Sequence, residues 1–234
     1  MSTNKLTAIV LYTDLIKGAK TKQCKSICSI NKKTTVIQEQ IASLKKMNRR
    51  IEIVILAGKG HKDIDKVLKE TKNTNKIKLV CVDEYLHVNQ GQVFLNAINK
   101  LNIENNVLLI LGEILFKNIC CKKLSNNTTW LIDKKRDDFN ISCRTSENDF
   151  AQYFFYDLPN EKQWSEIIFL HQDTIKQIKQ SKEVSNKIKQ IFMFELLNKL
   201  IDNSIKIDTQ KIRYRDIIKV RASKNIHKAK AFIR

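Results

Sequence analysis

Val107-Leu108-Leu109-Ile110-Leu111-Gly112-Glu113-Ile114-Leu115-Phe116 opens with five apolar residues in a row and then breaks at a glycine followed by an acid. An apolar run of this length without alternation reads as a strand buried on both faces, the signature of a parallel sheet covered by helices. In open α/β sheets, ligands and metals gather outside the carboxyl ends of the strands, so Glu113 stands where a carboxylate does chemistry. A strand-end acid also has a plainer reading, as a cap on neighbouring backbone or the partner of a lysine. The sequence leaves both open.

Upstream of this stretch the pattern alternates. Leu6 to Leu11 is a short β-branched run, and Asp14 to Gln23 is a polar segment without periodicity. Val36, Ile37, Ile41 and Leu44 then recur at helical spacing, with Thr34 or Thr35 available as a cap. Ile51 to Ala57 reads as a second strand, Ile64, Val67 and Leu68 as a helix face, Ile77 to Val82 as a third strand, and Gln92 to Leu101 as an amphipathic helix. The resulting β-α-β-α-β-α-β order predicts an α/β fold of three layers, α/β/α, around a mainly parallel sheet.

Downstream, Thr128 to Ile132, Asn140 to Cys143, Gln152 to Asp157 and Trp164 to Leu170 read as strands, followed by helices over 172–189 and 191–202. No internal repeat or low-complexity linker divides the chain, so one domain is expected over 1–234, its second half appended to the same sheet. The stripe Ile191, Phe194, Leu197, Leu200 and Ile201 reads as core. Tyr153 to Tyr156 reads as a strand with one buried face, because no Lys or Arg is interleaved with its rings to make a base-stacking platform.

The chain has 234 residues, 42% of them hydrophobic, which suffices for a full core, and a formal charge of +19. That charge is concentrated. Residues 17–50 hold ten Lys/Arg against Glu39, and residues 211–234 hold nine against Asp216. Such segments attract polyanions, whether a nucleoside triphosphate, nucleic acid or an anionic surface, although basic solvated faces account for them equally well. No recognised nucleic-acid motif accompanies them.

The six cysteines, at 24, 28, 81, 120, 121 and 143, include no C-x-x-C pair. They read as reduced thiols of a cytoplasmic protein rather than a zinc site or disulfide framework. Met1 to Ile9 lacks the apolar core of a signal peptide, and no run of about 18 apolar residues marks a membrane span.

Taken in order, several segments resemble the sugar-nucleotide and phosphocholine-type nucleotidyltransferases, whose fold is GT-A-like. Lys25-Ser26-Ile27-Cys28-Ser29-Ile30-Asn31 is similar to the family's P-K-x-L-x-x-I-N-G segment, and Asp83 to Gln90 to its N-x-x-Y-x-x-x-N-N. Leu109 to Phe116 resembles its G-D-x-x-F strand end, Gln163 to Ile168 the strand after its acceptor region, and Asp216 to Ile233 its closing E-I-D-x-x-E-D-L-x-x-A. The resemblance implies residues 1–116 as a nucleotide-binding half and 117–234 as an acceptor-side half. It also implies transfer of a nucleotidyl group from an NTP to a phosphorylated sugar or choline-like substrate, with Mg²⁺ held by two carboxylates.

The resemblance places Lys25 and Glu113 in catalytic positions, Glu113 as a metal ligand, and Leu11, Gly18, Lys20, Lys22, Asn89 and Gly112 around the nucleotide. This chain departs from the family where chemistry is concentrated. The phosphate loop L-A-A-G-x-G-x-R is replaced by Leu11 to Lys22, in which only Gly18 permits close backbone approach. Glu113 stands in place of an Asp, and Arg221, with Lys219 two residues before it, falls at the second metal acid. A cation at 221 either replaces the charge of the metal or pairs with Glu113. These departures admit a second reading, a catalytically inactive pseudoenzyme that keeps the fold as a binding or assembly module. A third is a nucleic-acid-binding protein acting through 17–50 and 211–234.

Leu56-Ala57-Gly58-Lys59-Gly60 also looks like a phosphate loop, but a strand-to-helix turn explains it without losing the Lys25 and Asn31 matches. His61 and His87 read as surface or hydrogen-bonded histidines.

Overall fold

The computed structural model describes residues 5–12, 27–31, 34–58, 60–71, 76–82, 88–121, 124–156, 161–181, 190–220 and 225–233. The alternation read from the first half is present. It comprises β1 (Leu6–Tyr12), α1 (Val36–Met47), β2 (Glu52–Ala57), α2 (His61–Lys69), β3 (Ile77–Cys81), α3 (Gln90–Lys100) and β4 (Asn106–Leu111). The start of α1 is fixed by its cap. At α1, Thr35 Oγ1 accepts from the Gln38 N–H at 3.4 Å while the Thr35 N–H donates to Gln38 Oε1 at 2.9 Å, a reciprocal capping box.

The second half contributes β5 (Ile114–Phe116), β6 (Thr128–Ile132), β7 (Ile141–Thr145), β8 (Ala151–Tyr156), β9 (Lys162–Leu170), α4 (Gln172–Gln180), α5 (Met193–Asp202), β10 (Asp208–Ile212), β11 (Ile217–Lys219) and α6 (Ile226–Ile233). The helix expected over 172–189 is described only to Gln180, and 182–189 lie outside the described residues. The strands β5, β10 and β11 and the helix α6 have no counterpart in the periodicity.

Nine strands form one sheet along the path β10-β6-β9-β4-β1-β2-β3, with β7 and β8 joined to it through β9. Strand β1 runs parallel to β2 and β4, and β2 parallel to β3, whereas β9 is antiparallel to both β4 and β6. The sheet is therefore mixed, with a parallel centre. Its strands alternate between two cores. Ile9 and Leu11 of β1 pack with Phe94 of α3 and Leu197 of α5, while Ala8 and Val10 pack with Ile41 of α1 and Ile64 of α2. Burial on both faces is why these strands are apolar throughout, and helices on both faces make the three layers.

A separate two-stranded ribbon, β5 antiparallel to β11, leaves the end of β4. Leu115 and Ile218 of the ribbon share a third core with Ile30, Val36 and Ala229, so α6 closes over it.

Candidate functional site

The chain runs from β1 through α1 to β2 on one side of β1, and returns through α3 to β4 on the other. The crevice at the C-terminal ends of β1 and β4 is thus the topological switch point, the general location of ligand sites in open α/β sheets. Tyr12, Leu111, Gly112 and Glu113 stand there.

Gly112 continues the β1–β4 pairing one residue beyond the ladder, its N–H donating to the Leu11 carbonyl at 2.9 Å. Its carbonyl then accepts from the Ile114 N–H at 3.0 Å, which closes a three-residue turn centred on Glu113. Gly112 has φ 80°, the left-handed region that glycine enters without steric cost. A Cβ built on it would lie 3.9 Å from Lys219 Cε, so the constraint is backbone conformation and not space.

Gln40 holds this turn in place. It is a fully buried polar residue on the apolar face of α1. Its Nε2 donates to the Gly112 carbonyl at 3.0 Å and the Ile114 carbonyl at 2.8 Å, while its Oε1 accepts from the Tyr12 hydroxyl. Both amide hydrogens and the oxygen are used, as a buried amide requires.

Strand β11 supplies the next wall. Its register sets Lys219 opposite Ile114, and the Val220 N–H donates to the Glu113 carbonyl at 2.8 Å. Lys219, which the sequence match sets two residues before the second metal position, therefore falls beside Gly112 and Glu113. The Lys219 side chain crosses over Gly112, and its Nζ donates to Glu166 Oε2 in an ion pair. The two side chains are 15% and 5% exposed.

Glu166 is reached through an irregularity of β9. Pairing between β6 and β9 steps from Thr129↔Ile168 to Leu131↔Trp164, so residues 165–167 face Trp130 alone, and Glu166 takes φ 59°. A non-glycine residue held there costs about 1–2 kcal/mol. Pairing of β9 with β4 ends at Ile110↔Ile167, which leaves Glu166 beside the last residue of β4.

The neighbouring acid is engaged as well. Asp138 accepts from Arg136 Nε at 2.8 Å and Nη2 at 3.0 Å, and from the Lys219 N–H at 3.1 Å. Burial alone would raise its carboxyl, but the Arg136 guanidinium and the Lys219 N–H outweigh it and hold Asp138 below the usual carboxylate range. Arg136 Nη1 also donates to the Tyr214 carbonyl at 2.7 Å.

Of the residues singled out from sequence, Leu11, Gly112 and Glu113 come together at the crevice, with Glu113 9% exposed. Asn89 stands at the start of α3, on the same edge of the sheet, and its Nδ2 donates to the Gln190 carbonyl at 2.8 Å. Gly91 explains that junction, because a Cβ there would lie 2.8 Å from the Ile191 and Phe192 carbonyls. Gly18, Lys20, Lys22, Lys25 and Arg221 lie outside the described residues, as does His87. The expected pairing of Glu113 with Arg221 is therefore not among the described contacts; the described ion pairs beside Gly112 are Lys219 with Glu166 and Arg136 with Asp138. Of Leu56 to Gly60, Leu56 and Ala57 end β2 and Gly60 is the N-cap of α2, while Lys59 lies outside the described residues.

Residue spacing did not reveal Gln40, Asp138 or Glu166. The only signal for Glu166 was an acid within the apolar run Trp164 to Leu170, since a carboxylate there needs a partner.

The resemblance implies Mg²⁺ at this crevice. Hard divalent cations take several oxygen ligands, carboxylates foremost. Among the described residues no three His, Cys, Asp or Glu side chains group as metal ligands. Asp138 is taken by Arg136 and Glu166 by Lys219, whose stem passes beside Gly112. This set does not fit a divalent ion held by two carboxylates.

No protein-family model and no curated protein matches the sequence. Solved structures do match. CTP:phosphocholine cytidylyltransferase from Streptococcus pneumoniae superposes with a TM-score of 0.75 at 16% identity, covering 98% of this chain and 100% of that one. The inositol-1-phosphate CTP transferase from T. maritima gives 0.74 at 14% identity over 98% and 95%. A nucleoside-diphosphate-sugar pyrophosphorylase from Vibrio cholerae gives 0.70 at 8% identity over 95% and 99%. The chain has the fold of these structures over nearly its whole length, at 8–16% identity.

Proposed function

We propose that this chain takes up a nucleoside triphosphate in the crevice between β1 and β4 and transfers its nucleotidyl group to a small phosphorylated substrate, releasing pyrophosphate. One observation carries the reading. The strand end Gly112-Glu113 falls at the switch point of a sheet whose fold is shared, nearly end to end, with CTP-using transferases. The substrate class is a phosphorylated sugar or a choline-like phosphate.

In that reaction a phosphate oxygen of the substrate attacks the α-phosphorus, the bond to the β-phosphate oxygen breaks, and pyrophosphate leaves in line. The attacking phosphate is already ionised, so no general base is required. The protein's task is to position the two anions and offset their charge.

The backbone of Leu11 and Gly112 forms the floor beneath the nucleotide. Lys25, with Lys20 and Lys22, supplies cationic side chains to the phosphates, and Gly18 allows one close backbone approach. Glu113 acts from the turn, Asn89 lies near the nucleoside or the second substrate, and Arg221 offers a cation where the related enzymes carry an acid. No step is routed through a metal.

The test is pyrophosphate release from each NTP, CTP first, with a panel of sugar phosphates and phosphocholine. Release that depends on both substrates and is abolished in Glu113→Ala supports transfer. A second reading, a nucleotide-binding module without turnover, is favoured by the Lys219–Glu166 pair at a place where transfer enzymes of this fold are expected to carry acids. Its mark is saturable nucleotide binding with no pyrophosphate.

A further inference from the structure

We propose that Lys219 takes the place of a divalent cation, so that the chain binds the triphosphate of its nucleotide without metal. The inference rests on the reading that a nucleotide occupies the β1–β4 crevice, and it holds for a transferase and for a binding module alike.

The first argument is position. Lys219 is set opposite Ile114 by the β5–β11 ladder, and the following N–H donates to the Glu113 carbonyl. Its Cε comes within 3.9 Å of the point where a Cβ on Gly112 would stand, and the ammonium is one bond further. The Lys219 stem therefore passes beside the glycine at the switch point and carries its ammonium to Glu166, at the end of β4, where the phosphates of a nucleotide would be received.

The second is that the ammonium is held. Glu166 reaches it from the bulge in β9 with a left-handed backbone, and the Phe139 ring lies 5.8 Å away on another side. The Lys219 N–H is fixed separately by Asp138. A long flexible side chain is thus held by groups from β9 and from the 136–139 segment, with 15% of its surface left open.

The third is spare bonding capacity. An ammonium has three donors and Glu166 takes one, so two remain for phosphate oxygens. In a site shielded from water, such a charge acts on an anion more strongly than at the surface. The same ammonium repels a divalent ion, and it already neutralises the neighbouring Glu166. A buried ion pair with no ligand is a poor source of stability compared with apolar residues of similar volume. Its presence at the mouth of a ligand crevice is accounted for if a ligand completes it.

The experiment is calorimetric titration of CTP, ATP, GTP and UTP into the full chain, once in EDTA and once with Mg²⁺. The inference predicts binding of at least one nucleotide in EDTA within about twofold of that with Mg²⁺. Lys219→Met should weaken metal-free binding about tenfold, the loss of one charge-assisted bond. Lys219→Arg should retain it, and Lys219→Glu should bind only with Mg²⁺ present. Far-UV circular dichroism checks each variant, and if Lys219→Met does not fold, the wild-type comparison and Lys219→Arg still decide. Binding by the wild type only with Mg²⁺ would overturn the inference while leaving the nucleotide reading intact, as would unchanged binding by folded Lys219→Met. Absence of binding under both conditions would remove the nucleotide reading itself, and the inference with it.

Discussion

The amide of Gln40 ties the end of β1, the turn at Glu113 and the helix α1 together through three bonds made out of reach of water. Gln40→Leu keeps the volume but removes all three bonds at once and leaves the Ile114 carbonyl without the amide it accepts from, and should cost about 2–4 kcal/mol in urea denaturation. Gly112→Ala should cost about 1–2 kcal/mol, because φ 80° is the only constraint and the space is open. Asp138 gives a pH signature. Its carboxyl is held below its unfolded value, so its contribution is full above the unfolded pKa of about 3.9 and is lost as pH falls through the lower folded value. Stability measured between about pH 5 and pH 2 should therefore fall more steeply in the wild type than in Asp138→Asn. The thiols divide in the same way: burial pushes Cys121 and Cys143 up to about 12, whereas Cys81 and Cys120 are exposed. A thiol reagent at pH 8 should label Cys81 and Cys120 in the native protein and reach Cys121 and Cys143 only after unfolding. At this scale the sequence was partly legible. Glu113 announced itself by ending an apolar run, whereas Gln40 was hidden among the apolar residues of its own helix face. The Lys219–Glu166 pair spans 53 positions, a separation that no local pattern records.

Strands buried on both faces were read correctly because their apolar runs are long, as in β1, β2, β4 and β9. The elements that escaped are short or exposed. β5 and β11 have three residues each, too few for a period to show, and β10 is largely solvent-facing. Their pairing depends on the fold already being in place, since β11 is recognisable only once β5 stands beside it. Strand β8 illustrates how an element is completed from a distance. It pairs on one side with β7, and on its other edge the Asn198 side chain of α5 accepts from the Phe154 N–H at 2.8 Å and donates to the Phe154 carbonyl at 2.9 Å. A side-chain amide thus substitutes for a neighbouring strand and blunts an edge that could recruit another chain. Asn198→Leu should lower stability by about 2–4 kcal/mol and raise concentration-dependent aggregation, read by light scattering. Unchanged stability would mean that the edge is satisfied in some other way.

For the whole molecule, the +19 charge and the shared fold make separable demands. Around the exposed Tyr214 lie Lys134, with its ammonium 5.3 Å from the ring centroid, and Arg213 and Arg215. This surface should hold single-stranded DNA or heparin loosely at low ionic strength and release it as salt rises, because such contacts are screened within a Debye length. Nucleotide binding in the β1–β4 crevice should be less salt-dependent, since its charges are shielded from solvent. An equal and steep salt dependence for both ligands would place the nucleotide on the surface. Fold class and topology follow from the order of the apolar runs, while the pairing of Lys219 with Glu166 became visible only when β5, β9 and β11 converged. The central claim is that the crevice at Leu11, Gly112 and Glu113 receives a nucleotide. Its most direct test is equilibrium titration of the intact chain with the four NTPs: the account predicts saturation at one nucleotide per chain and weaker binding by Lys219→Met, and saturable binding by none of the four would contradict it.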